Sequence, residues 1–194
     1  MLHNSPQKKF LLQISRLRLR PLQIDDVEML WPYVTDPEIP LYMSWSAHEN
    51  KDITKEFLQD CQKKLQKLEG ICWAIFYQEK FCGVIGLDHI QKSLQAAIVN
   101  SAELGYWLGK EFWGQGIIVE AAQAVLQFAF DILGLHKITI RHFVENVRSE
   151  RVIEKLGFHF VGLLREDFFK NGKWHDHKLY EMLMSEFIIN KSSS

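Results

Sequence analysis

The sequence contains little cysteine and no long apolar run. Its three cysteines, Cys61, Cys72 and Cys82, lack the spacing of metal ligands. A small, odd number of cysteines argues against a disulfide framework and favours a reducing compartment. No apolar run approaches the roughly 20 residues that a transmembrane helix needs, and the apolar residues 10–14 are too few for the core of a signal peptide. We therefore expect a cytoplasmic protein without a membrane partner.

The chain also has no excess of charge of either sign. Its 23 basic and 24 acidic residues give a formal net charge of −1, so the composition does not favour a nucleic-acid partner. A length of 194 residues fits one domain, and 47% hydrophobic residues is ordinary for a globular protein. There is no internal repeat and no linker. We expect a single domain that is a monomer or a homodimer.

The order of predicted elements indicates an α/β (or α+β) fold with a mixed sheet. Hairpins lie early and late in the chain, and strand–helix–strand crossovers lie between them. The late hairpin turns at Asn171-Gly172, because both residues tolerate positive φ. Strands are predicted at 17–20, 71–77, 80–89, 96–108, 137–144, 158–169 and 173–184, and helices at 25–34, 51–68, 116–133 and 146–156.

The segment 103–118 joins a strand to the longest apolar-striped helix through a turn that contains Gly114 and Gly116. Glycines at such a junction let backbone N–H groups approach an anion, and the dipole of the helix favours negative charge there. A phosphate-bearing ligand fits this pattern. Glycines that serve only the geometry of the turn fit it equally well, so the residues alone leave both interpretations open.

Two segments together resemble the acetyl-coenzyme-A motifs of the GNAT superfamily of N-acetyltransferases. Residues 113–118, Trp-Gly-Gln-Gly-Ile-Ile, resemble the first motif, which runs Gln or Arg, two residues, Gly, one residue, then Gly or Ala. Residues 146–158, Asn-Val-Arg-Ser-Glu-Arg-Val-Ile-Glu-Lys-Leu-Gly-Phe, resemble the second. Residues 105–108 and the hairpin 171–176 resemble the RimJ/RimL-type branch, whose members acetylate protein N-terminal amines, ribosomal proteins being the namesake.

The resemblance covers residues 14–187 and implies a single-domain GNAT fold between polar tails at 1–9 and 190–194, which we expect to be flexible. It implies a central mixed sheet of about six to seven strands flanked by helices. Two parallel strands, which here end at Leu108 and Val144, are expected to splay apart and to bind acetyl-CoA between them.

The sequence departs from the superfamily pattern at three positions. Trp113 replaces the Gln or Arg of the first motif, and Ile118 replaces its last Gly or Ala. Gly116 matches the central glycine of the motif, which is its most demanding position. Many members carry a tyrosine that protonates the leaving thiolate, and Ile153 stands there in this chain. Within the branch a serine has been given that role, and Ser149 matches it.

The resemblance implies acetyl-CoA as cosubstrate and no metal. The amides of Gly114, Gln115, Gly116 and Ile118 would hold the pyrophosphate, and the strand edge at 106–108 would hold the pantetheine arm. An N–H near Trp107 or Leu108 would stabilise the oxyanion. The expected cofactor-binding residues are Tyr106, Trp107, Leu108, Trp113, Gly114, Gln115, Gly116, Ile117, Ile118, Asn146 and Ser149.

The reaction also needs a base, because an alkylammonium is mostly charged at neutral pH. The candidates are Glu103, His142, Asp167 and Glu166. The branch's own glutamate falls on Phe168 in an ungapped alignment, next to Asp167. We favour Glu103, acting through a water, and so expect Ser149, Glu103 and Asn146 as the catalytic residues.

Several alternatives remain open. The acceptor is a protein N-terminus, or else a polyamine or another small amine. A non-catalytic acetyl-CoA sensor is the alternative of another class, with Ile153 as its support. A dinucleotide fingerprint at 114–119 would place Val119 where its third glycine belongs. His175 and His177 alternate on a strand as metal ligands can, but no third ligand is apparent, which favours a structural role.

Overall fold

The computed structural model describes residues 9–91 and 100–192, and these residues form one mixed sheet with helices on both faces. The strands are β1 (Leu12–Gln13), β2 (Leu17–Pro21), β3 (Ile71–Tyr77), β4 (Lys80–Gln91), β5 (Ser101–Leu108), β6 (Lys137–Phe143), β7 (His159–Lys170) and β8 (Lys173–Leu183). The helices are α1 (Val27–Val34), α2 (Lys51–Lys67), α3 (Ile117–Gln127), α4 (Val147–Leu156) and α5 (Met184–Ser192). A π-helical turn at Phe128–Ile132 extends α3.

The sheet has the order β1-β2-β3-β4-β5-β6-β8-β7, and β5–β6 is its one parallel pair among the described residues. The predicted fold class and the seven predicted strands are confirmed. The two-residue strand β1 raises the sheet from the expected six or seven strands to eight. The predicted start of the strand at 96–108 falls partly in residues 92–99, which lie outside the described residues.

The C-terminal helix α5 is not among the helices predicted from the sequence. Its start is capped by Glu186, whose carboxylate accepts a hydrogen bond from the Leu183 N–H at 2.8 Å. The ring of Phe187 packs on Phe130 at 5.1 Å, so tertiary contact supports this helix. The boundaries of the domain and the flexibility of the tails stay predictions.

Two hydrophobic cores lie on opposite faces of the sheet. The larger one joins the sheet to α3 and α4, whose apolar stripes supply residues such as Ile117 and Ile153. The smaller core joins the sheet to α1 and α2. Alternation along β5 sends Leu104 to the first core and Trp107 to the second, as a strand with both faces covered requires.

The parallel strands β5 and β6 separate halfway along their length. They pair from Ser101 and Lys137 to Glu103 and Thr139, and no pairing follows. Beyond that point β5 stays paired with β4 as far as Leu108, while β6 stays paired with β8. The expected splay is therefore present, and the facing edges of both strands keep unpaired backbone groups that a ligand can bind.

Candidate active site

The turn before α3 has a backbone that glycine favours strongly. Gly114 and Gly116 both have φ of +76°, in the left-handed region that most side chains avoid. A Cβ on Gly114 would meet no atom within 4 Å, and one on Gly116 would meet only Arg16 at 3.6 Å. Gly116 is the N-cap of α3, so the first N–H groups of the helix lack intrahelical partners. The turn therefore leaves room and donors for an anion.

Hydrogen bonds with residues outside the predicted motif hold this turn in place. Arg16 Nη2 donates to the Gln115 carbonyl at 2.7 Å, and its Nε donates to Glu120 Oε2 at 2.6 Å. The Gln115 side chain donates to the Glu111 carbonyl at 2.8 Å. The sequence contains no signal that links Arg16 to this turn, because 99 residues separate it from Gln115.

Trp113 connects the two segments that resemble acetyl-CoA motifs. Its Nε1 donates to the Leu108 carbonyl at 3.0 Å. The guanidinium of Arg148, on α4, lies 4.4 Å from the centre of the Trp113 ring, within cation–π distance. The turn, the end of β5 and the start of α4 thus form one continuous surface.

Several predicted cofactor-binding residues can contribute only through their backbone. Ile117 and Ile118 are buried in the larger core. Leu108 lies in that core as well, and Trp107 packs in the smaller one against Phe81, with ring centres 5.9 Å apart. Their side chains stabilise the fold, so a ligand can contact these segments only through backbone groups on the free edge of β5 and at the start of α3.

Tyr106 and Ser149 meet across the splay. The Tyr106 hydroxyl and Ser149 Oγ are 2.9 Å apart, and either can donate the hydrogen bond. Burial raises the pKa of Tyr106 to about 12, so this phenol is protonated at neutral pH. Asn146 caps α4 by accepting the Ser149 N–H at 3.2 Å. The three residues line one cavity of about 400 Å³.

A network of charged side chains lies on the wall of the same cavity. Arg141 of β6 binds Glu103 through both carboxylate oxygens, with Nε–Oε1 2.9 Å and Nη2–Oε2 3.0 Å. It also reaches Asp167 Oδ2 at 3.2 Å. His177 of β8 donates from Nδ1 to that same oxygen at 2.7 Å. The His177 hydrogen bond and then the Arg141 charge hold the pKa of Asp167 below its ordinary value.

His142 has different surroundings from the other base candidates. It is buried, and its Nδ1 lies 2.8 Å from the Phe143 carbonyl. Its ring stacks on Tyr180 with centres 5.6 Å apart, and within the described structure its Nε2 has no hydrogen-bond partner. Burial lowers the pKa of His142, so the ring is neutral at neutral pH.

The aromatic loop after α1 covers the other side of the cavity. Tyr42, Met43 and Ser44 line it, and we refer to residues 40–46 as the acceptor loop. Lys170, at the end of β7, donates to the carbonyls of Pro40, Met43 and Trp45 at 2.6, 2.7 and 2.8 Å. One ammonium thereby binds the acceptor loop to the β7–β8 hairpin.

The two alternating histidines have separate partners. His177 is bonded to Asp167, whereas His175 lies 3.5 Å from Glu145 and packs edge-on against Phe143. In residues 9–91 and 100–192 no group of three or more His, Cys, Asp or Glu side chains could hold a metal ion. No described helix is long and apolar enough to cross a membrane.

The chain belongs to the GNAT acetyltransferase family, because residues 16–159 match its acetyltransferase (GNAT) domain. It is similar to the N-acetyltransferase YdaF of Bacillus subtilis (strain 168), with 33% identity over 130 residues, 67% of this chain and 68% of YdaF. It is 32% identical over 136 residues to the ribosomal-protein-serine acetyltransferase of Escherichia coli (strain K12), covering 70% of this chain and 73% of that protein.

Among solved structures, the chain is similar to the spermidine N-acetyltransferase from Vibrio cholerae in complex with CoA and spermine. The TM-score is 0.78 with 27% identity, and the match covers 90% of this chain and 99% of the other. The chain is thus an acyltransferase, an acetyl-CoA-dependent N-acetyltransferase. The open glycine turn and the unpaired strand edges fit its cosubstrate.

Proposed function

We propose that this chain transfers the acetyl group of acetyl-CoA to the N-terminal α-amine of a protein, such as a ribosomal protein. One observation carries the proposal: a single cavity of about 400 Å³ is lined both by Asn146 and Ser149 of the second motif and by the acceptor loop. The acetyl end of the cosubstrate and an incoming amine would therefore meet in one space. The similarity to the E. coli enzyme supports the acceptor class.

In this proposal the amine attacks the thioester carbon directly. The new N–C bond forms as the C–S bond breaks, and the sulfur leaves as a thiolate that must be protonated. The Ser149 hydroxyl supplies that proton, supported by its 2.9 Å contact with the protonated Tyr106 phenol. A backbone N–H on the free edge of β5, near Trp107 or Leu108, stabilises the oxyanion. Asn146 fixes the start of α4 so that Ser149 faces the cavity.

A polyamine is the second candidate acceptor. The similarity to a spermidine N-acetyltransferase favours it. The cavity wall carries the carboxylates of Glu103 and Asp167 with one guanidinium between them, an arrangement that suits a cationic amine of either class. We place the reaction in the cytoplasm, supported by three cysteines that are all free thiols, and expect a monomer or a homodimer.

Labelled acetyl-CoA and a panel of amines test the acceptor. The panel holds lysine-free peptides with Ser, Ala or Met first, the same peptides with blocked N-termini, and spermidine. We expect label on the free α-amine of at least one peptide and none on its blocked form. Label on spermidine alone would replace the protein acceptor with the polyamine. Binding of acetyl-CoA without transfer to any amine would contradict the proposed function.

A further inference from the structure

We propose that His177 is the general base that takes the proton from the acceptor amine, and that Asp167 positions it. This inference rests on the proposed function and deepens it. His177 lies on β8 opposite Phe143 of β6 in the sheet register. Its side chain is 6% exposed and lines the same cavity as Ser149. The pair therefore lies where the amine must lose its proton.

The bond between the two side chains fixes which nitrogen is free. The Asp167 carboxylate can only accept a hydrogen bond, so Nδ1 of His177 carries the proton across the 2.7 Å contact. The lone pair then resides on Nε2. A carboxylate that accepts a hydrogen bond from one ring nitrogen of a histidine fixes the orientation of the ring. It also stabilises the imidazolium that forms when the other nitrogen gains a proton.

An irregularity in β7 brings Asp167 to this position. The register between β7 and β8 shifts between Leu164 and Phe168, so residues 165–167 of β7 lie opposite Asp176 alone and two residues are extra on β7. Glu166 takes a left-handed φ of +50° there, and its N–H donates to Asp176 Oδ1 at 2.7 Å. The bulge turns the Asp167 carboxylate toward His177 and Arg141. A left-handed non-glycine residue at such a place is typical of a functional constraint.

Two of the candidate bases named from the sequence, Glu103 and His142, are less suited. Both oxygens of Glu103 already accept hydrogen bonds from Arg141, so its lone pairs are occupied by a permanent cation. His142 stacks on Tyr180 and its Nδ1 lies next to a backbone carbonyl, and among residues 9–91 and 100–192 no carboxylate is hydrogen-bonded to it. His177 combines access to the cavity with a carboxylate partner.

The proton transfers balance with His177 as base. The substrate ammonium gives one proton to Nε2, and the neutral amine then attacks the thioester carbon. The N–C bond forms and the C–S bond breaks, the sulfur takes a proton from Ser149, and Ser149 recovers one from the second N–H of the substrate. His177 finally releases its proton to solvent. The products are the amide, the free thiol of CoA and one proton.

Several charged and titratable groups surround His177. They are Asp167 on β7, Arg141 and His142 on β6, Glu103 on β5 through Arg141, and His175 on its own strand. Asp167→Asn takes away the negative charge next to the His177 ring, and we expect the loss of kcat on the acid side to move to lower pH in this variant.

The test compares His177→Gln with the matched control His175→Gln, which lies on the same face of β8 and packs on the same Phe143 ring. With saturating acetyl-CoA, we expect kcat of His177→Gln to fall by about 10² to 10⁴ at neutral pH, the range for loss of a general base. The acid limb of its kcat–pH profile should disappear, and added imidazole should restore part of the rate. His175→Gln should keep both the rate and the limb.

Asp167→Asn is the second variant, which keeps the inference testable if His177→Gln does not fold. Its acid limb should shift to lower pH, whereas a purely structural role would lower kcat at every pH without moving the limb. Retention of the wild-type rate and limb in His177→Gln, or an unmoved limb in Asp167→Asn, would overturn the inference. An inactive wild type would instead refute the proposed function, so the two failures are distinct.

Discussion

At the scale of single residues, the backbone of Gly116 decides whether the turn can hold the pyrophosphate. We predict that Gly116→Val raises the Kd for acetyl-CoA at least about tenfold, because a β-branched residue at φ +76° distorts the amides of the turn. The same substitution should lower the free energy of unfolding by about 1–2 kcal/mol through left-handed strain. Calorimetric titration measures the affinity, and urea denaturation measures the stability.

Gly134→Val is the control for that prediction. Gly134 has φ of +66°, and a Cβ there would meet no atom within 4 Å, as at Gly114. It follows the π-helical turn at the far end of α3, away from the glycine turn. The Gly134→Val variant should lose a similar free energy of unfolding and keep the wild-type Kd for acetyl-CoA. If both variants had the same Kd for acetyl-CoA, Gly116 would not belong to the binding site.

Ser149 allows a second prediction at this scale. Ser149→Ala should lower kcat by about 10- to 100-fold with little change in the KM for acetyl-CoA, since the hydroxyl acts on the departing sulfur. Tyr106→Phe removes the supporting hydroxyl and should have a smaller effect of the same kind. Steady-state kinetics with both substrates varied measures kcat and the KM for acetyl-CoA separately. A wild-type kcat in Ser149→Ala would exclude Ser149 as the general acid.

The pH profile provides a check on the same pair. Because burial raises the pKa of Tyr106 to about 12, its phenol keeps its proton over the assay range. We predict no fall in kcat from Tyr106 ionisation between about pH 8 and about pH 10, where an unperturbed tyrosine with a pKa of about 10 would begin to lose its proton. A basic limb that is present in wild type and absent in Tyr106→Phe would contradict this.

At the scale of elements, one lysine determines how the acceptor loop meets the β7–β8 hairpin. Three carbonyls accept hydrogen bonds from the Lys170 ammonium, and burial lowers its pKa. Each bond to a charged group contributes about 1.5–3 kcal/mol, partly offset by desolvation of the ammonium. We predict that Lys170→Met raises the KM for the acceptor about tenfold and leaves the Kd for acetyl-CoA unchanged.

Lys173→Met is the matched control for Lys170, because Lys173 is its exposed partner across the hairpin. It should leave both constants at their wild-type values. Steady-state kinetics with the acceptor varied and calorimetric titration of acetyl-CoA measure the two quantities. If Lys170→Met weakened acetyl-CoA binding as much as acceptor binding, the lysine would serve the whole fold rather than the acceptor loop.

The elements also show where sequence reasoning succeeds and where it fails. The Asn171-Gly172 hairpin, with φ of +51° at Asn171 and +80° at Gly172, depends on local backbone preferences and was predicted from the residues alone. The bulge in β7 depends on partners on other strands. In an ungapped alignment the glutamate of the RimJ/RimL-type branch therefore falls on Phe168. The carboxylate that lines the cavity belongs to the neighbouring residue, Asp167.

At the scale of the whole molecule, the sheet order creates the site. β5 also pairs with β4 and β6 also pairs with β8, so the parallel pair β5–β6 can separate while each strand stays paired on its other edge. Residues far apart in sequence then meet, as Arg148 does with Trp113. The two motifs could be recognised from sequence. The burial of the Trp107 side chain and the roles of Arg16, Lys170 and His177 required the assembled fold.

A crystal structure with a non-transferable acetyl-CoA analogue tests the central claim most directly. We predict the pyrophosphate within hydrogen-bond distance of the amides of the turn at 114–118, and the arm between the separated ends of β5 and β6. The carbonyl of the analogue should lie in the cavity that Ser149 and His177 share. An analogue bound elsewhere, for instance in the open groove along residues 163–167 of β7, would contradict the account.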